Sequence, residues 1–171
     1  DAGSPTTLVC SRQALLQRDG DIVDVDGASP VTFNVPTGNY YVVVRHRNHL
    51  GCMSAGAIAL GPMTTTIDFS AATTAVYGTE ARKEAGDDRL LWMGNVLPDN
   101  KLSYTGAQND RDPIIALLGG IDPTASVSGY FQEDCSMDGI VRYTGTDNDR
   151  DPILLNIGSS LPTVTRAEQV P

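Results

Sequence analysis

Two stretches of this chain repeat one another at an offset of 39 residues, and that repeat limits the fold more than any other property of the sequence. Asn95-Val-Leu-Pro-Asp99-Asn-Lys-Leu-Ser-Tyr-Thr-Gly-Ala-Gln-Asn-Asp-Arg-Asp-Pro-Ile114 aligns without a gap on Asp134-Cys-Ser-Met-Asp138-Gly-Ile-Val-Arg-Tyr-Thr-Gly-Thr-Asp-Asn-Asp-Arg-Asp-Pro-Ile153. The match continues at Gly119 with Gly158 and at Pro123-Thr124 with Pro162-Thr163. Ungapped self-similarity of this length marks two copies of one supersecondary unit, spanning 95–133 and 134–171.

Each copy reads as an acidic loop, a turn and a short apolar helix. In the second, Asp134, Ser136 and Asp138 stand at positions 1, 3 and 5 of a D-x-S-x-D-G loop, with Gly139 at 6 and the carbonyl of Ile140 at 7. Calcium takes six to eight oxygens, and loops of this kind supply them from alternate residues, with glycine permitting the sharp turn. Position 12 is Gly145 instead of a carboxylate, so an extended loop closed by Asn148, Asp149 or Asp151 is expected. The first copy offers Asn95, Asp99 and the Lys101 carbonyl, with Asn109, Asp110 and Asp112 downstream, and is expected to be the weaker site. The competing reading of Asn148 to Asp151 is helix capping plus an Arg–Asp pair, without metal. Asp112-Pro113 and Asp151-Pro152 predict helix starts. Helices then run over Ile114–Leu118 and Ile153–Ile157, and Gly119 and Gly158 end them as C-caps.

The loop start and following helix resemble type I dockerin repeats. The fuller pattern D-x-N-x-D-G-x-V-x-Y-T-G-x-x-N-D-R-D-x-I-L, met here with Ser136 at its third position, together with Gln17-Arg-Asp-Gly-Asp-Ile-Val-Asp24 and Val43-Val-Arg-His-Arg-Asn-His-Leu-Gly51, resembles the C-terminal region of large secreted bacterial surface proteins of haemagglutinin-like or dockerin-like type. That resemblance implies export, an extracellular or cell-surface location and Ca2+ binding, without implying a known activity.

Residues 1–76 predict a β-sandwich. Candidate strands are Thr6–Cys10, Gln13–Gln17, Ile22–Asp26, Val31–Val35, Asn39–Arg45, Ala57–Leu60 and Thr64–Phe69, punctuated by Asp19-Gly20, Asp26-Gly27, Pro36-Thr37-Gly38 and Gly61-Pro62. Val35-Pro-Thr-Gly-Asn-Tyr-Tyr-Val-Val-Val44 reads as a central strand covered on both faces. It resembles the turn and strand of prealbumin-like and collagen-adhesin B-type sandwiches. Residues 77–94 are the expected connector, with a short helix over Glu80–Leu91. The predicted fold is therefore mainly β with a small α part: an Ig-like or prealbumin-like sandwich followed by a dockerin-like pair of calcium loop–helix units.

A net charge of −9 and a pI near 4.4 argue against a nucleic-acid partner. No stretch approaches the ~20 apolar residues of a membrane-spanning helix. The start at Asp1 without Met, and no leader, predicts a processed product or an excised segment. Cys10, Cys52 and Cys135 allow one bridge plus one thiol, or three thiols. His46, His49 and Cys52 have loose metal-ligand spacing, with strand-end hydrogen bonds as the plainer reading. The run Asp19, Asp21, Asp24 and Asp26 reads as turn formers. Catalytic signatures such as G-x-S-x-G, H-E-x-x-H or a P-loop are lacking, as is any N-x-S/T sequon. The expectation is a non-enzymatic, calcium-stabilised structural or adhesive module, a filament subunit self-associating through its N-terminal strand or joining another surface protein. Two alternatives are a docking module for a cohesin-like receptor and a carbohydrate-binding module for glycans, the latter against an aromatic content of 6%.

Overall fold

The computed structural model describes residues 3–158 and 160–171; Asp1 and Ala2 of the expected N-terminal strand lie outside the described residues. In chain order the first half carries β1 (Leu15–Leu16), β2 (Ile22–Val23), β3 (Gly38–Tyr40), β4 (Val43–Val44), β5 (Cys52–Met53), β6 (Ile58–Leu60), β7 (Lys83–Ala85) and β8 (Asp88–Leu90). All pairing is antiparallel: β1 with β2, β3 with β6, β4 with β5 and β7 with β8.

The fold class is mainly β with a small α part, as the sequence predicts, but the sandwich is absent among the described residues. Every sheet among the described residues has two strands, too few to form the layers of a sandwich. The first fully buried side chain is Asn48, so the expected core of residues 6–45 does not exist. Two spans read as strands, Thr6–Cys10 and Thr64–Phe69, contain none, and Val31–Val35 has only its neighbour Pro30 in a bridge. The presumed central strand breaks at Tyr41 and Val42: its first part meets β6 and its second meets β5, with Val42 N–H turned to the Ser54 hydroxyl. Apolar content on both faces was therefore a poor guide, because no second sheet is present to cover either one.

The expected helix over Glu80–Leu91 is the β7–β8 hairpin. Gly86, at φ +65°, takes the first central position of the two-residue turn between Ala85 and Asp88, and a positive φ there sets the strand twist of a tight hairpin. Arg82 locks the hairpin's approach by donating to the carbonyls of Phe69, Ala71 and Thr74.

The second half carries β9 (Lys101–Ser103), α1 (Arg111–Leu117), β10 (Ser126–Ser128), β11 (Ile140–Arg142), α2 (Arg150–Asn156) and β12 (Thr165–Ala167). Each copy of the repeat is thus strand, helix, strand, and the copies are joined by exchange. The closing strand of the first, β10, pairs with the opening strand of the second, β11; the closing strand of the second, β12, returns to β9. The registers are equivalent, Ser126↔Arg142 in one pair and Thr165↔Ser103 in the other. Thr144 Oγ1 donates to Pro123 O while Thr105 Oγ1 donates to Pro162 O, which repeats the exchange at the loops. The result is a closed pair related by a pseudo-two-fold axis, with Val96, Ile114, Cys135, Val141 and Ile153 as its core.

The segment Arg45–Gly51 lies across that axis. The Asn48 carbonyl accepts Gly94 N–H (2.7 Å) and Asn95 N–H (2.8 Å), while its Nδ2 donates to the carbonyls of Gln132 and Asp134, both at 2.8 Å. Asn95 and Asp134 are repeat equivalents, so one fully buried residue ties both copies together, its carbonyl to Asn95 and its side chain to Asp134. Leu50 adds a second small core with Leu102 and Ile157, and Glu168 receives Gly51 N–H and Arg45. The N-terminal half is built onto the duplicated half here.

Candidate functional site

The twin acidic loops are where the sequence concentrates its chemistry, and the repeat lets each act as a control for the other. Asp149 is fully buried, with Oδ1 accepting Ser136 N–H (2.9 Å) and Oδ2 accepting Arg142 N–H (2.8 Å). Asp110 does the same in the first copy, with Leu97 N–H at 3.0 Å and Ser103 N–H at 2.7 Å. These carboxylates latch the start of each loop to its strand by satisfying backbone donors that would otherwise be buried without partners. Burial raises both acids, Asp110 to about 6, although the backbone N–H groups pull the other way.

Asn148 and Asp151, and their counterparts Asn109 and Asp112, are engaged in capping. Asn148 Oδ1 accepts Asp151 N–H (2.9 Å), and Asn148 Nδ2 donates to Gly145 O and Asp151 Oδ2. Asn109 repeats each bond, toward Asp112 N–H, Gly106 O and Asp112 Oδ2. The Asp-Pro signal therefore marks the helix start to within two residues, since the helices begin at Arg111 and Arg150, but names the wrong cap. The capping side chain is the asparagine three residues before aspartate, and proline sits in the first turn where an N–H has no intrahelical acceptor. At the other end Gly119 (φ +92°) and Gly158 (φ +81°) hold the left-handed conformation expected of C-cap glycines.

The remaining loop residues differ between copies. Asp134 is buried; its Oδ2 accepts Gly139 N–H (3.1 Å) and stands 3.7 Å from the Arg47 guanidinium, and its Oδ1 has only a long 3.4 Å contact with the Ser136 hydroxyl. Asp138 accepts Ile140 N–H at 2.8 Å and Arg142 Nη1 at 2.6 Å, and the arginine contact holds its carboxyl below the usual range. In the first copy Asn95 stands where Asp134 would, its amide nitrogen directed at Leu97 O (2.6 Å) and Lys101 O (3.2 Å). The Lys101 ammonium lies 3.9 Å from Asp99.

By chemistry of the donor set, the second loop fits a hard cation: Asp134, Ser136, Asp138 and the Ile140 carbonyl are oxygen groups clustered within one turn-rich segment. The first loop does not, since Asn95 presents an amide N–H in the place of the Asp134 carboxylate and Leu97 stands in the place of Ser136. Among the described residues no three His, Cys, Asp or Glu side chains converge as a ready-made cage.

Residues the sequence reading passed over matter as much. Arg142, at the end of β11, is the counter-ion of Asp138 in the preceding loop, a pairing made by the turn at Gly139. Arg47 donates to the carbonyls of Phe131 and Asp134 and lies 4.3 Å from the Tyr130 ring centroid, a long-range contact no local pattern announces. His46 and His49 face each other with Nδ1 atoms 3.3 Å apart, and burial lowers His49 to about 4. All three cysteines are free thiols; Cys10 is exposed, and Cys52 is buried and pushed up to about 11.

Comparison with protein-family models, with curated proteins and with solved structures finds no match to this chain. The geometry therefore carries the functional argument alone.

Proposed function

We propose that this protein is an extracellular structural or adhesive module, stabilised by one calcium ion in the loop 134–140 and able to associate with copies of itself. The observation that carries the reading is the difference between the twin loops. Both hold their backbone with the same buried aspartate and the same asparagine cap, both carry the loop aspartate Asp99 or Asp138, and only the second adds Asp134, Ser136 and Gly139. Groups needed for folding alone are present in both; the extra oxygen donors serve something else. A divalent ion satisfies Asp134 Oδ1 and competes with Arg142 for Asp138, with Asp149 remaining a latch.

Titration of the metal-free chain with calcium, followed by thermal melting, tests this. The midpoint is expected to rise with calcium, in the manner of any ligand that binds only the folded state. Asp138→Asn should leave the metal-free midpoint within a degree or two and abolish the rise. Asp149→Asn should cost about 2–4 kcal/mol with or without the ion, because it leaves a buried N–H unpaired. A midpoint indifferent to calcium and to chelator would sink the reading.

A further inference from the structure

The geometry points to a second metal site, of different chemistry from the acidic loop: His46 and His49 form a bis-imidazole seat for a borderline transition ion of the Zn2+ class. The chain's two histidines both lie in the turn that links β4 to β5. His49 N–H donates to His46 O (2.8 Å), which closes the turn, and Arg47 takes a φ of +29° inside it. A positive φ is costly for a side chain of that size and persists only where the surroundings over-determine it. Here they do: Asn48 O accepts two backbone N–H groups, Leu50 N–H reaches Trp92 O, and His49 is bridged to Met93. The histidines are therefore placed before any ion arrives, which removes the cost of ordering them on binding.

Their Nδ1 atoms stand 3.3 Å apart with the rings tilted by 55°. That is long for a hydrogen bond, whose usual range ends near about 3.2 Å. Two nitrogens bound to one tetrahedral ion at about 2.0–2.1 Å are separated by about 3.3–3.4 Å, so the pair already has the bite of a chelate. Among the described residues each imidazole has the other as its one hydrogen-bonding partner. Without an ion, one Nδ1–H donates to the other Nδ1. With an ion, both Nδ1 lone pairs face it and the displaced proton passes through solvent to Nε2 of the same ring, leaving the charge on the histidines unchanged.

Imidazole nitrogen suits zinc, copper and nickel, whereas calcium and magnesium take oxygen. Burial disfavours the protonated form of both rings and so leaves the neutral form that a metal needs. Cys52, the third residue of that spacing, is fully buried in β5 and takes no part. Among the described residues no third His, Cys, Asp or Glu joins the pair, so water completes the shell. The Arg47 guanidinium opposes a cation, but its Nη atoms are turned to Phe131 O and Asp134 O, with the Asp134 carboxylate at 3.7 Å.

Titration calorimetry with zinc tests this on the full chain carrying Cys10→Ser, which removes the exposed thiol that would also take the ion. One zinc ion per chain is expected, undisturbed by a large excess of calcium and by Asp138→Asn. His46→Gln and His49→Gln should each weaken zinc by at least about tenfold, since even an outer-shell partner of a bound metal is worth that much. Histidine-ring nitrogen spectra of the unsubstituted site decide the matter where a variant misfolds: zinc should shift both Nδ1 signals. No zinc binding, zinc held equally by folded histidine variants, zinc displaced by calcium, or Nδ1 signals that zinc leaves in place would each overturn the assignment.

Discussion

At the scale of single residues, two buried groups titrate against each other. Asp110 is raised to about 6 by burial, with Asp99 nearby adding to the shift. The folded chain therefore holds a proton there that the unfolded chain has released, and stability from this group falls as pH rises from about 4 to 6. His49 is depressed to about 4 by burial, helped by His46 and Arg47. Its stability term runs the other way: present above the unfolded value near 6.5 and lost as pH falls toward 4. Each shift corresponds to roughly 3 kcal/mol at most, and Asp149, also raised by burial, adds to the first side as His46, also lowered by burial, adds to the second, so the opposing groups nearly cancel. Urea unfolding of the parent between pH 4.5 and 6.5 should be almost flat. His49→Gln removes one side of the balance, and its stability should fall with rising pH over the same window; a rise would refute the assignment to Asp110. Aspartates whose acidity is strengthened, such as Asp138 and Asp151, titrate below this window. None of this is legible in the sequence, where Asp110 and Asp112 look alike; only the fold makes one a buried latch and the other an exposed cap partner.

At the scale of elements, the repeat was readable and so were its helices, because Asp-Pro and the terminal glycines are local signals obeyed locally. The strands β10 and β12 were not. Ser126-Val-Ser128 and Thr165-Arg-Ala167 are three residues long and carry no shared alternation, and they exist as strands only because the opposite copy offers β11 and β9. Equivalent caps should have equivalent worth. Asn109→Ala and Asn148→Ala are each expected to lower stability by about 1–2 kcal/mol, the cost of a lost helix cap. Values from chemical denaturation that differ by more than a factor of about three would show that the copies are not energetic twins.

At the scale of the whole molecule, the sequence suggested two modules with a connector, and the described residues show one half docked on the axis of the other. The error has a physical source: alternation and turn signals report where strands begin, whereas a sandwich needs a second layer that short strands separated by bends cannot form. Asn48 is the residue to test. Replacing it with Ala strips the part-buried Gln132 carbonyl of its Asn48 donor and leaves the Asp134 carbonyl to Arg47 alone. A loss of about 3 kcal/mol is expected. Because both copies and residues 45–51 share that side chain, calorimetry of the parent should show one transition for residues 45–171, with the 3–35 arm contributing little. Two separated transitions would contradict this coupling.

The reciprocal pairing of β9 with β12 also orders events in time. As the polypeptide emerges from the ribosome, its first unit has a ready place for a partner strand that is synthesised only after the loop and helix of the second copy. Until Thr165–Ala167 appears, β9 stays an open edge, so completion of the first unit waits for the whole of the second.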